Sequence, residues 1–447
     1  QMVWIGVGSM NAANSTFLVL SSILVLFMTP GLAFFYGGLV SKRNVVNTML
    51  SVFMICGLAI LLWLAFGYSL SFSGDLGGFV GNLKATWLHG VDLTALTATK
   101  IPNGLYLIFQ MMFAIITPAL FVGAVVGRIR FKFLLTFIIF WSLLIYYPMV
   151  HMVWDNGLLA KLGVIDFAGG TVVHINAGIT ALVLSAFLGA RHKYGKDMTQ
   201  HYNILWVLLG TAILWIGWYG FNAGSALAMN DIAIQAFLTT TVATATSMMT
   251  WMVVDMLTKG KPTLVGVCTG TLCGLVAITP ACGYVTISGA FWIGLIATLT
   301  SYGFITFIKP RLGIDDALDA FGCHGVSGMV GSIMTGLFAS KAVNNTISLN
   351  GLFYGGGFKL FGLQLLATIF TIGFTTIVCI VIIVLLKRVI RMRVDEQEEE
   401  LGLDQGEHGE VADYTVQMSH DLTNIQHHSD EFRGQLAQLL DKQQRFR

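Results

Sequence analysis

Eleven long apolar runs separated by short loops constrain this chain more than any other feature of its sequence. They fall near residues 14–40, 44–72, 101–127, 131–150, 169–190, 203–227, 231–257, 263–280, 285–308, 318–339 and 360–390. The hydrocarbon core of a bilayer needs about 20 apolar residues per helix. In lipid the backbone polar groups must be satisfied inside the segment, which makes continuous apolar runs helices. Charged residues are only 11% of the 447 and hydrophobic ones 55%, too little charge to cover a soluble domain of this size. The expected fold class is an all-α polytopic membrane protein with eleven transmembrane helices, and an odd number puts the termini on opposite sides.

The basic residues orient it. Alternate loops carry Lys42 and Arg43, then Arg128, Arg130 and Lys132, then Arg191, Lys193 and Lys196, then Lys259 and Lys261, then Lys309 and Arg311. Lys387, Arg388, Arg391 and Arg393 follow the last run, whereas the opposite loops hold only Lys84, Lys100, Lys161, Lys341 and Lys359. Cytoplasmic loops carry the excess of Lys and Arg, so the N-terminus is expected outside and the C-terminus inside. Two units follow: a membrane domain, 1–393, and a polar tail, 394–447. Basic residues form no patch outside short loops, so nucleic acid is not an expected partner. The six cysteines show no CxxC spacing and read as small buried apolar residues. A chain that begins at Gln1 raises the expectation of a removed start or signal segment.

Two ionisable residues stand inside apolar runs: His174 in the fifth and His324 in the tenth. Such groups are costly in the membrane and usually face a cavity or a partner. They are five runs apart, and an odd number of helices per repeat inverts the second copy. An inverted five-plus-five repeat would bring them together at a pseudo-two-fold axis. Acidic residues echo this, with Asp166 ahead of His174 and Asp315, Asp316 and Asp319 ahead of His324. Two unrelated core histidines bonded to hydroxyls would look the same in sequence, and no third ligand lies nearby for a metal. A neutral imidazole has one donor and one acceptor nitrogen, so a pair lining a narrow path suits a species that sheds a proton to cross. Phe113, Trp154, Trp218 and Phe221 are either packing residues or faces for a small cation.

The segments Phe34-Phe35-Tyr36-Gly37-Gly38-Leu39, His151-Met152-Val153-Trp154, Asp166 through Asn176, Gly217 through Ser225 and Thr279-Pro280-Ala281-Cys282-Gly283-Tyr284 resemble the ammonium transporter family (Amt and Mep proteins, with the Rhesus proteins as distant relatives). The resemblance runs from about Asn11 to Tyr414. It implies a homotrimer in a bacterial inner (plasma) membrane, one pore per subunit, and eleven helices with the inverted repeat. It also implies roles. Trp154, Ser225 and Phe113 match an outer binding site for ammonium, and Asp166 supports that site. Phe113 and Phe221 match a stacked gate, and His174 and His324 the paired pore histidines with Trp218 beside them. The expected function is ammonium or ammonia transport, with ammonium captured outside and deprotonated near the histidines. No nucleophile–base pair, metal cluster or cofactor motif is seen, so neither an enzymatic reaction nor a cofactor is expected.

The tail adds an alternative. Its acidic run and the segment to Glu410 resemble a family tail that packs under a neighbouring subunit. Beyond it Val411, Thr415, Met418, Leu422, Ile425, Ser429, Phe432, Leu436, Leu439, Gln443 and Phe446 recur at spacings of four and three, a heptad seam with polar breaks. A plain amphipathic helix is one reading. The other is an ammonium sensor of the same fold, signalling through this helix to an output domain beyond Arg447, with His420 loosely placed as a phosphoacceptor. A PII-type regulatory protein is a further partner that the resemblance leaves open.

Overall fold

The computed structural model describes residues 9–192, 194, 201–413, 426 and 429–433. A helix occupies each of the eleven apolar runs: α1 (Ala12–Leu39), α2 (Val45–Phe72), α3 (Asn103–Val125), α4 (Phe131–Leu162), α5 (Gly170–Leu188), α6 (Ile204–Gly224), α7 (Asp231–Lys259), α8 (Leu264–Ile278), α9 (Ile287–Leu312), α10 (321–338) and α11 (Phe358–Leu386). Among the described residues, nine are long and apolar enough to cross a membrane. The exceptions are α8, with 15 residues, and α10, whose regular part Ser327–Phe338 has 12. At about 1.5 Å rise per residue α8 alone reaches ~23 Å of a ~30 Å core, whereas α10 with its π turn comes close to that thickness. No strand forms among the described residues, only isolated bridges.

Side-chain caps start several helices where the sequence offers them. Asn11, Asn203 and Asn230 accept backbone N–H groups at the starts of α1, α6 and α7, and Thr263 and Thr286 do so for α8 and α9. Glycines set the packing. A side chain on Gly38 of α1 would come within 2.6 Å of the Asn203 carbonyl, and one on Gly220 of α6 within 2.7 Å of the Ser21 carbonyl. The α1 and α6 backbones therefore lie in direct contact, the close approach that small residues permit in lipid.

The tail folds back on its own chain. Helices α12 (Glu396–Leu401) and α13 (Leu403–His408) lie over the ends that carry the basic loops. Arg130 pairs with Glu398 at 2.8 Å and Arg393 with Glu399 at 2.7 Å. Asp404 accepts the Asn47 N–H at 2.8 Å, and the His408 ring meets Phe131 edge-on at 5.0 Å. Beneath the tail, Arg128 is fully buried and donates to the carbonyls of Val126, Gly189 and Asp315. Of the heptad seam, Thr415, Met418, Leu422, Ile425, Leu436, Leu439, Gln443 and Phe446 lie outside the described residues, as does His420.

Candidate functional site

Both histidine helices open on a π turn, Gly170–Ile175 in α5 and Phe321–Val326 in α10, and each turn carries its histidine. Such widened turns concentrate at functional positions. An aspartate eight residues ahead of each histidine holds the turn's start. Asp166 accepts the N–H groups of Gly169, Gly170, Thr171 and Val172 at 2.6–3.3 Å and the Thr171 hydroxyl at 2.5 Å. Gly169 sits at φ 117°, a conformation open to glycine with little strain, which lets the chain wrap its own carboxylate. Asp316 accepts the N–H of Ala320 at 3.0 Å and of Phe321 at 2.7 Å. Its two acidic neighbours turn elsewhere: Asp315 forms a bidentate pair with Arg191, and Asp319 accepts from Lys309.

The two carboxylates are not equivalent. Asp316 lies in the 313–320 connection, 2% exposed, and burial pushes its carboxyl up to about 6 against the opposing pull of Lys309. With fewer donors around it, Asp316 is less completely compensated than Asp166 for the loss of water.

The helices cross at glycines four residues past each histidine. A side chain on Gly178 would overlap the Gly325 backbone, and a Cβ on Gly328 would lie 3.0 Å from the His174 Cβ. This contact brings the imidazoles side by side with nearly parallel planes, their centroids 5.5 Å and their planes 13° apart.

Aromatic rings continue the column away from that pair. Trp218 lies nearly parallel to His174 at 5.4 Å, and Phe221 packs on the same imidazole at 5.9 Å. Phe221 and Phe113 are 4.3 Å apart, and Phe113 meets Trp154 edge-on at 5.6 Å. The Trp154 indole donates to the Asp166 carbonyl at 3.0 Å, so one residue fixes both the tryptophan at the end of the column and the start of the histidine helix. Ser225 joins through its hydroxyl, which donates to the Phe221 carbonyl at 2.9 Å. The structure thus places Trp154, Phe113, Phe221, Trp218, His174 and His324 in one ring-to-ring sequence, with Asp166 and Ser225 attached to it by hydrogen bonds.

Both nitrogens of His174 and Nδ1 of His324 are buried without a protein hydrogen-bond partner. Buried polar atoms are normally satisfied. Three buried imidazole nitrogens without protein partners are chemistry for a small polar guest or for protons. The alternative of core histidines tied to hydroxyls finds no such bond here. Among the described residues no group of three or more His, Cys, Asp or Glu side chains comes together as a metal site.

Sequence reasoning alone did not single out several of the site's supports. Asp316 was one of three candidates, although the shared offset of eight distinguishes it. Thr279, whose hydroxyl accepts the Trp218 indole N–H at 2.9 Å, stands in a matching segment to which no role is given. Its signal is an internal repeat: Ile116-Thr117-Pro118-Ala119 in α3 returns as Ile278-Thr279-Pro280-Ala281 at the end of α8.

The sequence model for the Ammonium Transporter Family matches residues 16–413. An ammonium transporter of Aquifex aeolicus (strain VF5) is 45% identical over 406 residues, covering 90% of this chain and 94% of that relative. Among solved structures, Saccharomyces cerevisiae Mep2 superposes with a TM-score of 0.81 at 32% identity, over 87% of this chain and 89% of that one. A structure described as a sensor Amt protein has a TM-score of 0.81 at 28% identity, over 89% of this chain and 98% of its own.

Proposed function

The chain belongs to the ammonium transporter family, and on that premise we propose that it carries ammonium across a bacterial plasma membrane through a path along the ring column from Trp154 to His324. The observation that carries this reading is the unbroken contact from Trp154 through Phe113, Phe221 and His174 to His324, ending on imidazole nitrogens without protein partners. All eleven segments cross the bilayer, α8 together with the apolar turn that follows it, as two inverted sets of five plus α11, N-terminus outside, in a homotrimer with one path per subunit.

Ammonium is captured at the outer end by the faces of Trp154 and Phe113 and by the Ser225 hydroxyl. Each good cation–π contact is worth ~0.5–2 kcal/mol. Asp166 acts at one remove, since its carboxylate is committed to the backbone of the histidine turn and its carbonyl to Trp154. Phe113 and Phe221 close the way below with stacked rings. A bare cation entering that dry constriction loses its hydration without replacement, a cost far above that for a neutral molecule. Separation into ammonia and a proton removes the charge from the permeating species. Inside, the imidazole pair offers ammonia both an acceptor and a donor nitrogen.

Currents and uptake of an ammonia analogue in proteoliposomes test this with His174→Ala and His324→Ala. A collapse of flux or of selectivity in either variant supports the role, and unchanged flux and selectivity in both refute it. The sensor reading draws on the 28% likeness to the sensor structure, against 45% identity to a transporter over nearly the whole chain. A conformational response of the tail to ammonium without ion or analogue flux would favour it.

A further inference from the structure

One conspicuous segment has no part in the path just described. The turn Thr279-Pro280-Ala281-Cys282-Gly283-Tyr284 follows α8 and lines no part of the ring column, yet it touches both sides of it. Thr279 is fully buried. Its hydroxyl donates to the Leu275 carbonyl at 2.8 Å and accepts the Trp218 indole N–H at 2.9 Å. The next residue holds the opposite wall. The Pro280 carbonyl accepts the Phe167 N–H at 3.1 Å, and a Cβ on Gly170 would lie 2.5–3.0 Å from the Pro280 ring carbons. Gly283 packs so closely under the Phe167 ring that a side chain there would overlap it. Two adjacent residues of one turn thus fix the indole that faces His174 and the loop from which the His174 turn begins.

An indole ring in a dry site has a single polar atom, its N–H, and that atom decides how the ring is turned about its side-chain bonds. A donor with one partner in place keeps one orientation, and losing the partner leaves a buried N–H that reorients to find another. Thr279 is suited to this because its own proton is already committed to Leu275, which leaves its lone pairs free to accept. The earlier copy of the motif behaves alike on that point: Thr117 donates to the Phe113 carbonyl, also four residues back, at 2.6 Å.

We propose that Thr279 is a positioning residue of the conduction path: by accepting the Trp218 N–H beside the Pro280 anchor, it sets the near-parallel face of Trp218 against His174 and so the width and selectivity of the passage there. The inference rests on the transport reading for its consequence, but not for its geometry.

Two variants and two measurements test it. Thr279→Ser keeps the hydroxyl, and Thr279→Val keeps the shape without it. In proteoliposomes Thr279→Val is expected to lower ammonium-driven current about ten-fold and to change the ratio of methylammonium to ammonium uptake, whereas Thr279→Ser stays within about two-fold of the parent in both. Cryo-electron microscopy of Thr279→Val is expected to show Trp218 turned out of its parallel arrangement with His174. Retention of that arrangement in the valine variant overturns the proposal, as does an equal loss in the serine variant. If the parent protein carries no ammonium the transport reading fails by itself, and the Trp218 orientation still decides the role of Thr279.

Discussion

Gly178 of α5 leaves the space that the Gly325 backbone of α10 occupies, and this contact sets how close His174 and His324 can come. Both helices are otherwise regular past their π turns, so little else on either side can yield.

Gly178→Ala therefore places a methyl group into backbone. Overpacking a tight core costs about 1–3 kcal/mol and sometimes more, and here the obstacle is main chain with no rotamer to change. The variant is expected to melt several degrees below the parent in detergent and to lose transport. Thermal unfolding of the purified proteins checks the first and proteoliposome uptake the second.

Asp166 answers four backbone N–H groups and one hydroxyl. Asp166→Ala leaves those donors buried and unmet, at roughly 1–3 kcal/mol for each one that water does not reach. Asp166→Asn keeps one acceptor oxygen and should recover part of the loss. The expected order of thermal stability is parent, then asparagine, then alanine. An alanine variant as stable as the parent would show that the carboxylate is not what holds the α5 turn.

Asp316 predicts a dependence on pH. Its carboxyl, raised by burial from an ordinary 3.8 to about 6, binds its proton more tightly folded than unfolded. The stabilisation this gives is fully present below about pH 4 and is lost as pH rises through about 6. The rise from 3.8 to about 6 corresponds to at most ~3 kcal/mol. Against Asp316→Asn, which cannot titrate, the parent should lose relative stability between pH 4.5 and 7.5. Paired melting curves across that range measure the difference, and a difference independent of pH would contradict it.

Phe113 and Phe221 are the narrow ring pair of the column, 4.3 Å apart. Truncating both to alanine opens the constriction to hydrated cations. If the desolvation barrier falls by ~1.4 kcal/mol or more, potassium current rises about ten-fold or more. Ammonium and potassium currents recorded on the same proteoliposomes give the ratio, which should move toward unity.

Much of this was written in the chain in one dimension. Hydropathy located the helices because a bilayer-crossing segment must satisfy itself, so its signal is local. His174 and His324 stood out for the same reason, as ionisable groups where lipid makes them costly. In the structure Pro148 and Pro310 each follow a π turn, Ser142–Tyr146 in α4 and Phe304–Ile308 in α9, where the missing proline N–H is accommodated by a widened turn. The end of α4 was less legible: its apolar run closes near 150, whereas the helix continues to Leu162.

Hydropathy and charge alone are enough for an all-helical membrane chain, the placement of its basic loops and the two histidines that would be expensive unless they did something. Only the packed structure shows which face of Trp218 meets His174 and that Thr279 holds it there. Those outcomes depend on the direction of a side chain at a chain reversal and on the approach of helices far apart in sequence. Composition and spacing do not encode either one, because both rest on contacts such as Trp218 on Thr279 and Gly178 on Gly325 that exist only once the helices have packed.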